Sequence, residues 1–323
     1  MPAPDLAAKL LARNRDAVSP ALNLVDDARP QAIEAARALL DQLETADSQR
    51  ALQIGITGAP GAGKSTLIDG MVRQLRARDQ SVGIIAVDPS SRRTGGALLG
   101  DRVRMRSGTS DPGVFVRSMA ARRRLGGLAD ATRAGVQILS AVFDWVIVET
   151  VGVGQSETDI AQQAHTLVFV AQPAAGDTLQ FIKAGILELP DVFIVNKADL
   201  GAVAERSAAE LEASLGLGAA RADGWTPPVL LTSARDGIGI AEVLEKIEAH
   251  RHHLEAAGEL ATRRRRSRSA HLLESLESRY GSYGIEALGG FDALTKRVEA
   301  SGETTASLLA ELAAEVERCL RKP

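Results

Sequence analysis

The segment Gly58-Ala59-Pro60-Gly61-Ala62-Gly63-Lys64-Ser65-Thr66 follows the β-rich run ALQIGIT and opens a helical stretch through Leu67, Met71 and Leu75. A GxxxxGK[ST] pattern between a strand and a helix is a phosphate loop, and it restricts the chain to folds that set a strand end against a helix N-terminus. A plain glycine-rich turn would explain the bend but not the Lys-Ser pair in this setting. Phosphate oxygens need several donors at close range. Glycines let the backbone curl with its N–H groups inward, and the helix N-terminus adds partial positive charge. Lys64 is expected to bridge the β- and γ-phosphates of a nucleoside triphosphate, and the Ser65 hydroxyl to ligate Mg²⁺.

The rest of the chain fits that restriction. From Ala51 onward the β-rich runs ALQIGIT, VGIIAVD, VFVRS, WVIVETV, TLVFVAQ, VFIVNK and VLLTS alternate with helical segments. Such alternation predicts an α/β P-loop NTPase with a mainly parallel central sheet flanked by helices. Right-handed crossovers bring the strands' C-terminal ends to one edge, where loops form the ligand site. Helical periodicity before Ser48, broken at Ser19-Pro20 and Arg29-Pro30, predicts two or three helices in an N-terminal extension over 1–48. The GTPase domain is expected over 49–257, ending on a helix from Ile240 to Glu255. A helical tail over 258–323 carries apolar stripes at Leu272, Leu273 and Leu276 and at Leu308, Leu309, Leu312 and Val316.

The apolar run Val192 to Val195 ends in Asn196-Lys197-Ala198-Asp199, on the same expected edge as the phosphate loop. This NKxD pattern fits guanine. A carboxylate at Asp199 can accept from N1–H and the 2-amino group of guanine, whereas adenine has neither donor. Charge-assisted hydrogen bonds contribute about 1.5–3 kcal/mol each, enough for a large preference. The Lys197 stem can lie over the base plane, and Asn196 can brace the site. Thr232-Ser233-Ala234-Arg235 resembles the loop whose backbone N–H, here at Ala234, donates to guanine O6. NKxD alone is a weak pattern; downstream of a phosphate loop and followed by Ser-Ala it is a strong one.

Asp88 ends VGIIAVD, Asp101 lies in GGALLGDRVRM, and Glu149 ends WVIVETV. With Ser65 these are candidate direct or water-mediated Mg²⁺ partners, because Mg²⁺ takes oxygen ligands and keeps several waters. The alternative for each acid is a solvated strand end or loop carboxylate. Glu149-Thr150-Val151-Gly152 has the form of a Walker-B segment, in which the Gly152 N–H can meet a γ-phosphate. Val153 stands where Ras-like GTPases carry the glutamine that orients water, and Gln155 comes two residues later. Intrinsic hydrolysis is therefore expected to be slow, with Lys64, Glu149, Gly152 and Gln155 as the candidate catalytic groups.

Composition narrows the partners. A net charge of -3 gives no general attraction to nucleic acid, and the cluster Arg263 to Arg266 with Arg268 reads as a solvated or dimer-facing helix start. The single cysteine, Cys319, excludes an intrachain disulfide, and the absence of a long apolar run argues against a membrane span. A cytoplasmic protein without nucleic-acid or membrane partners is expected.

GAPGAGKST, VDPSS, TGGALLGDRVRM, LGGLADAT, ETVGVGQSE, GDTLQFIKAGILE, NKAD and TSA, spread from Ser48 to Ala234, together resemble the MeaB/ArgK branch of the SIMIBI class of P-loop GTPases. These are the GTPase chaperones of methylmalonyl-CoA mutase. The resemblance implies GTP and GDP as ligands with Mg²⁺, and a homodimer joined through the C-terminal tail. It also implies a cobalamin-dependent mutase as partner, whose cofactor loading is gated and which is protected from inactivation. The segment from Gly176 to Lys183 then becomes a candidate switch toward that partner, against the alternative that Asp177 simply caps a helix from Thr178 to Leu187. Ala59 replaces the signature lysine of some SIMIBI ATPases, and Arg117 to Arg122 departs from the family's usual loop. The family's older label of arginine/ornithine transport kinase has no support in these residues. A metallochaperone-type GTPase would need a Cys/His cluster near the switches, and His252-His253 lies far from them and reads as surface. The other alternative is a GTP-sensing module that does not hydrolyse.

Overall fold

The computed structural model describes residues 3–46, 50–88, 111–120, 127–150, 160, 163–173, 188–216, 221 and 223–321. These residues form two compact units, one of 52–120 and 145–262, the other of 1–51, 121–144 and 263–323.

The first unit is built on a seven-stranded sheet: β1 (Leu52–Thr57), β2 (Val82–Asp88), β3 (Val114–Ala120), β4 (Trp145–Thr150), β5 (Thr166–Ala171), β6 (Val192–Val195) and β7 (Val229–Leu231). The order is β3-β2-β4-β1-β5-β6-β7 and every pairing is parallel. Strands β4, β5 and β6 are buried along their whole length. That is the state of parallel strands covered on both faces, and it explains why they read as unbroken apolar runs.

The period-2 alternation of side chains divides the core. Ile54, Ile56, Val168, Val170 and Ile194 point to one face. There they meet α4 (Lys64–Ala77), through Leu67, Ile68, Met71 and Leu75, and the helix Ile240–Ala256, through Val243, Leu244 and Ile247. Phe169, Ala171, Phe193 and Val195 point to the other face and meet Ala204, Ala208 and Leu211 of the helix Ala202–Gly216. Each large side chain so buried contributes about 1.5–3 kcal/mol.

The histidines divide by helical period. His252 is exposed, as expected, but His250 is fully buried, with Nδ1 2.8 Å from Thr166 Oγ1 and Nε2 3.3 Å from Asp191 Oδ1. The His253 ring packs on Trp225 with its Nε2 2.8 Å from the Asp223 carbonyl, so only part of the His252-His253 pair belongs to the surface.

The second unit is helical: α1 (Ala3–Leu11), α2 (Val18–Val25), α3 (Pro30–Thr45) and α5 (Gly127–Val142), with the C-terminal chain. Arg13 ties the first turn of chain to the end of α5, donating from Nε to the Val142 carbonyl at 2.9 Å and pairing with Asp144 at 2.6 Å. The helix Glu259–Ala287, interrupted at Gly281, and the helices Phe291–Ala300 and Thr305–Leu320 enclose Leu272, Leu276, Leu294, Val298, Leu308, Leu312 and Val316. Both leucine stripes are thus core. Carboxylates of α3 cap the last helix: Glu44 accepts from the Thr305 N–H and hydroxyl at 2.9 Å each, and Asp41 accepts from Ser307 at 2.8 Å and from Thr304. Acidic groups at a helix N-terminus satisfy its unpaired N–H groups and complement its dipole.

Burial, reinforced by the positive charge of Arg133, lowers the pKa of His271 from 6.5 to about 3. The folded protein keeps this imidazole neutral while the unfolded chain protonates it below pH 6.5, so stability is present in full above that pH and is lost as pH falls from 6.5 toward 3. At pH 5 the loss is about 2 kcal/mol. Thermal unfolding of wild type and His271→Leu at pH 7 and pH 5 is expected to show the smaller drop in the variant; equal drops would mean that His271 is not held neutral.

Candidate functional site

Because all strands are parallel, their C-terminal ends share one edge, and the registers fix which residues meet there. Ile56 lies beside Glu149, Thr57 beside Phe169, Ala171 beside Val195, and Val195 beside Leu231. β1 is flanked by β4 on one side and β5 on the other, so the chain's order reverses at its tip. A crevice at such a reversal is where open α/β sheets bind ligands.

The loop from Gly58 to Gly63 fills that position. Gly58 has φ 137°, and a Cβ there would run into the carbonyl oxygen of Val170, so only glycine lets the loop leave β1 this close to β5. Gly63 at φ 91° starts α4. Lys64 is buried, and its ammonium donates to the carbonyls of Gly58 at 2.7 Å and Ala59 at 3.1 Å, which points it into the loop. Pro60 and Gly61 form the exposed crest. The Ser65 hydroxyl donates to Glu149 Oε1 at 2.8 Å, joining the start of α4 to the end of β4. Beneath them Thr150 donates to Thr57 at 3.2 Å. An alcohol oxygen and a carboxylate at this spacing form a hard-oxygen donor pair of the kind Mg²⁺ takes.

A second loop cluster faces the first. The Asn196 amide donates from Nδ2 to the Ala62 carbonyl at 2.8 Å, and its Oδ1 accepts from the Ala234 N–H at 3.0 Å and the Thr232 hydroxyl at 3.1 Å. One side chain therefore joins three loops. Lys197 adopts φ 64°, and its ammonium donates to Gln172 Oε1 at 3.0 Å. Asp199 accepts from the Ser233 hydroxyl at 3.1 Å and pairs with Arg235 at 3.2 Å. Arg235 also holds Asp236 at 3.0 Å, and this contact, with the Ser233 hydrogen bond, lowers the Asp236 pKa below the ordinary carboxylate value.

The sequence matches the family model described as methylmalonyl Co-A mutase-associated GTPase MeaB over residues 18–281. The chain belongs to the MeaB family. It is 50% identical over 215 residues to a GTPase of Pyrococcus horikoshii, covering 66% of this chain and 68% of that one. It is 34% identical over 267 residues to the mitochondrial methylmalonic aciduria type A homolog of Mus musculus, covering 79% and 64% of the two chains. A solved structure described as a LAO/AO transport system kinase shares 26% identity with a TM-score of 0.70 over 97% of each chain. The fold of this MeaB family member is that of a P-loop GTPase.

Of the residues singled out from sequence, Lys64, Ser65 and Glu149 come together on one side of the site, and Asn196, Lys197, Asp199, Ser233, Ala234 and Arg235 on the other. Asp88 closes β2 on the same edge, in register with Ala120. Asp101, Gly152, Gln155, Asp177 and Lys183 lie outside the described residues. Gln172 was missed. It belongs to no motif, and its one signal is its place directly after β5, where a residue faces the ligand edge.

Asn196→Ala removes all three bonds and leaves the buried Ala62 carbonyl and Ala234 N–H without that partner. Unmet buried groups cost about 1–3 kcal/mol each. The variant is expected to lose roughly 3 kcal/mol of stability and at least tenfold in GTP affinity. Denaturant unfolding and calorimetric titration measure the two, and an unchanged affinity would show that the loops hold their positions without Asn196.

Proposed function

We propose that this protein binds GTP with Mg²⁺, cleaves it to GDP and phosphate, and serves a cobalamin-dependent methylmalonyl-CoA mutase as a chaperone that gates cofactor loading and protects the enzyme from inactivation. The observation that carries the nucleotide reading is Asn196, whose single amide bonds both the phosphate loop and the Ala234 loop. Phosphate binding and base binding are thereby one rigid site. Support for the mutase as partner comes from the family, described as methylmalonyl Co-A mutase-associated, and from the likeness to methylmalonic aciduria type A proteins.

In this reading the backbone N–H groups from Gly58 to Thr66 cradle the phosphates, and Lys64 neutralises the β- and γ-oxygens. Ser65 and Glu149 would hold Mg²⁺, with Asp88 and Asp101 as further acids, and the ion would supply positive charge to the phosphoryl group. Asp199 reads N1–H and the 2-amino group of guanine, and the Ala234 N–H meets O6. The Ser233 hydroxyl and the Arg235 guanidinium hold the Asp199 carboxylate in place. With Val153 after Gly152, the group that orients water comes from Gln155 or from the partner. The partner's effect then runs through residues 176–183. We further infer a cytoplasmic homodimer, with 1–48 as N-terminal extension, 49–257 as GTPase domain and 258–323 as dimerisation arm.

Lys64→Ala is expected to weaken GTP binding roughly 10- to 100-fold, the loss of a charge-assisted contact to phosphate. Asp199→Asn should move preference from GTP to xanthosine triphosphate by about tenfold or more, because the 2-oxo group needs a donor. Competition titrations with both nucleotides decide it, and retained guanine selectivity would reject Asp199 as the base reader. GTP turnover should be slow alone and faster with a methylmalonyl-CoA mutase; equal rates would remove the mutase from the proposal.

A further inference from the structure

Lys197 lies in the left-handed region, φ 64° and ψ 43°, where a residue with a Cβ is strained by about 1–2 kcal/mol. Three backbone bonds surround it: Asn196 N–H to the Ala171 carbonyl at 3.0 Å, Ala198 N–H to the Thr232 carbonyl at 2.8 Å, and Leu200 N–H to the Lys197 carbonyl at 3.0 Å. They fix the direction in which the side chain leaves the loop. They do not fix where its flexible stem ends. A lysine carries four rotatable bonds, and an ammonium in solvent would leave the stem sampling many rotamers.

Gln172 ends that freedom. The register Ala171 to Val195 places residue 172 beside residue 196, with Lys197 one step further along the neighbouring loop. Gln172 is half-buried, and its Oε1 accepts from the Lys197 ammonium at 3.0 Å. The same oxygen would lie 3.9 Å from a Cβ on Gly61, so it sits between the crest of the phosphate loop and the Asn196–Asp199 loop. The carboxamide is neutral and accepts a charge-assisted bond without adding a negative charge near the phosphates, as a carboxylate there would.

We propose that Gln172 is a positioning residue of the nucleotide site, pinning the Lys197 ammonium so that the lysine stem stays extended as an apolar plate for the base. This rests on the guanine reading given above and goes beyond it by assigning a role to a residue outside every motif. The plate contacts the ring and not its hydrogen-bonding edge. Gln172 therefore governs how tightly any accepted base is held, and Asp199 governs which base is accepted. GTP and GDP gain equally, which is uniform binding and leaves the chemical step unchanged.

The test is a double-mutant cycle on the full chain with GTP and GDP as probes. Gln172→Leu is expected to raise Kd for both nucleotides, and KM for GTP, about tenfold with kcat unchanged. In a Lys197→Met background, which keeps a stem but has no ammonium, the same substitution should change Kd less than about twofold. Gln172→Asn retains the amide but is one methylene short of the ammonium, and it should behave as Gln172→Leu does. It carries the test if the leucine variant does not fold. Wild-type affinity in Gln172→Asn, or an undiminished loss in the Lys197→Met background, overturns the proposal. If the wild type binds no GTP, the guanine reading falls and this one with it. If the wild type binds GTP and Asp199→Asn turns it toward xanthosine triphosphate while both Gln172 variants bind as wild type, only the role of Gln172 falls.

Discussion

The parallel register of β1 against β4 and β5 governs everything that happens at the ligand edge. Parallel pairing places the ends of all seven strands on one side, and the reversal of chain order at β1 leaves its tip without a covering crossover. Gly58 exploits the opening. Its backbone passes so near the Val170 carbonyl that any side chain would be excluded, and from there the chain curls into the phosphate loop and enters α4. Had β1 lain at the sheet margin, the same loop would have lacked either β4, which brings Glu149, or β5, which brings Gln172.

The two halves of the site are held by side chains as well as by the sheet. On the phosphate side, Ser65 and Glu149 connect a helix start to a strand end at 2.8 Å. On the base side, Asn196 reaches across to Ala62 and to Ala234, and Lys197 to Gln172. Each bond contributes only about 1 kcal/mol net, but leaving its buried partners unmet would cost more. The positions of these loops therefore depend on contacts between side chains and neighbouring loops. This is the usual cost of a preorganised polar site, in which second partners hold the contacting groups in place.

The family match and the geometry agree about the fold. Residues 18–281 match the MeaB family, and the structure described as a LAO/AO transport system kinase covers 97% of this chain. Outside the nucleotide site the structure organises its helices by apolar faces. Segments from both ends of the chain and α5, which is placed in sequence between β3 and β4, gather into one unit, with Arg13 bonded to Val142 and the carboxylates of Asp41 and Glu44 capping the last helix.

The sequence by itself determined the strands, their parallel arrangement and most of the site. Unbroken apolar runs such as WVIVET admit little except a buried strand, and GAPGAGKS and NKAD occupy strand ends whose chemistry is local. Glycine positions, the lysine and the paired acid all follow from what a phosphate demands of nearby backbone. Only the tertiary structure decided which groups brace those motifs. Gln172 meets Lys197, and Thr150 meets Thr57, because strand register brings together positions distant in sequence, and no composition or spacing encodes the register between two paired strands. The same holds for His250 and His253. Helical period indicates that they lie near one face of the helix Ile240–Ala256, but that the face meets Thr166, Asp191 and Trp225 depends on where β5, β6 and a distant loop come to rest.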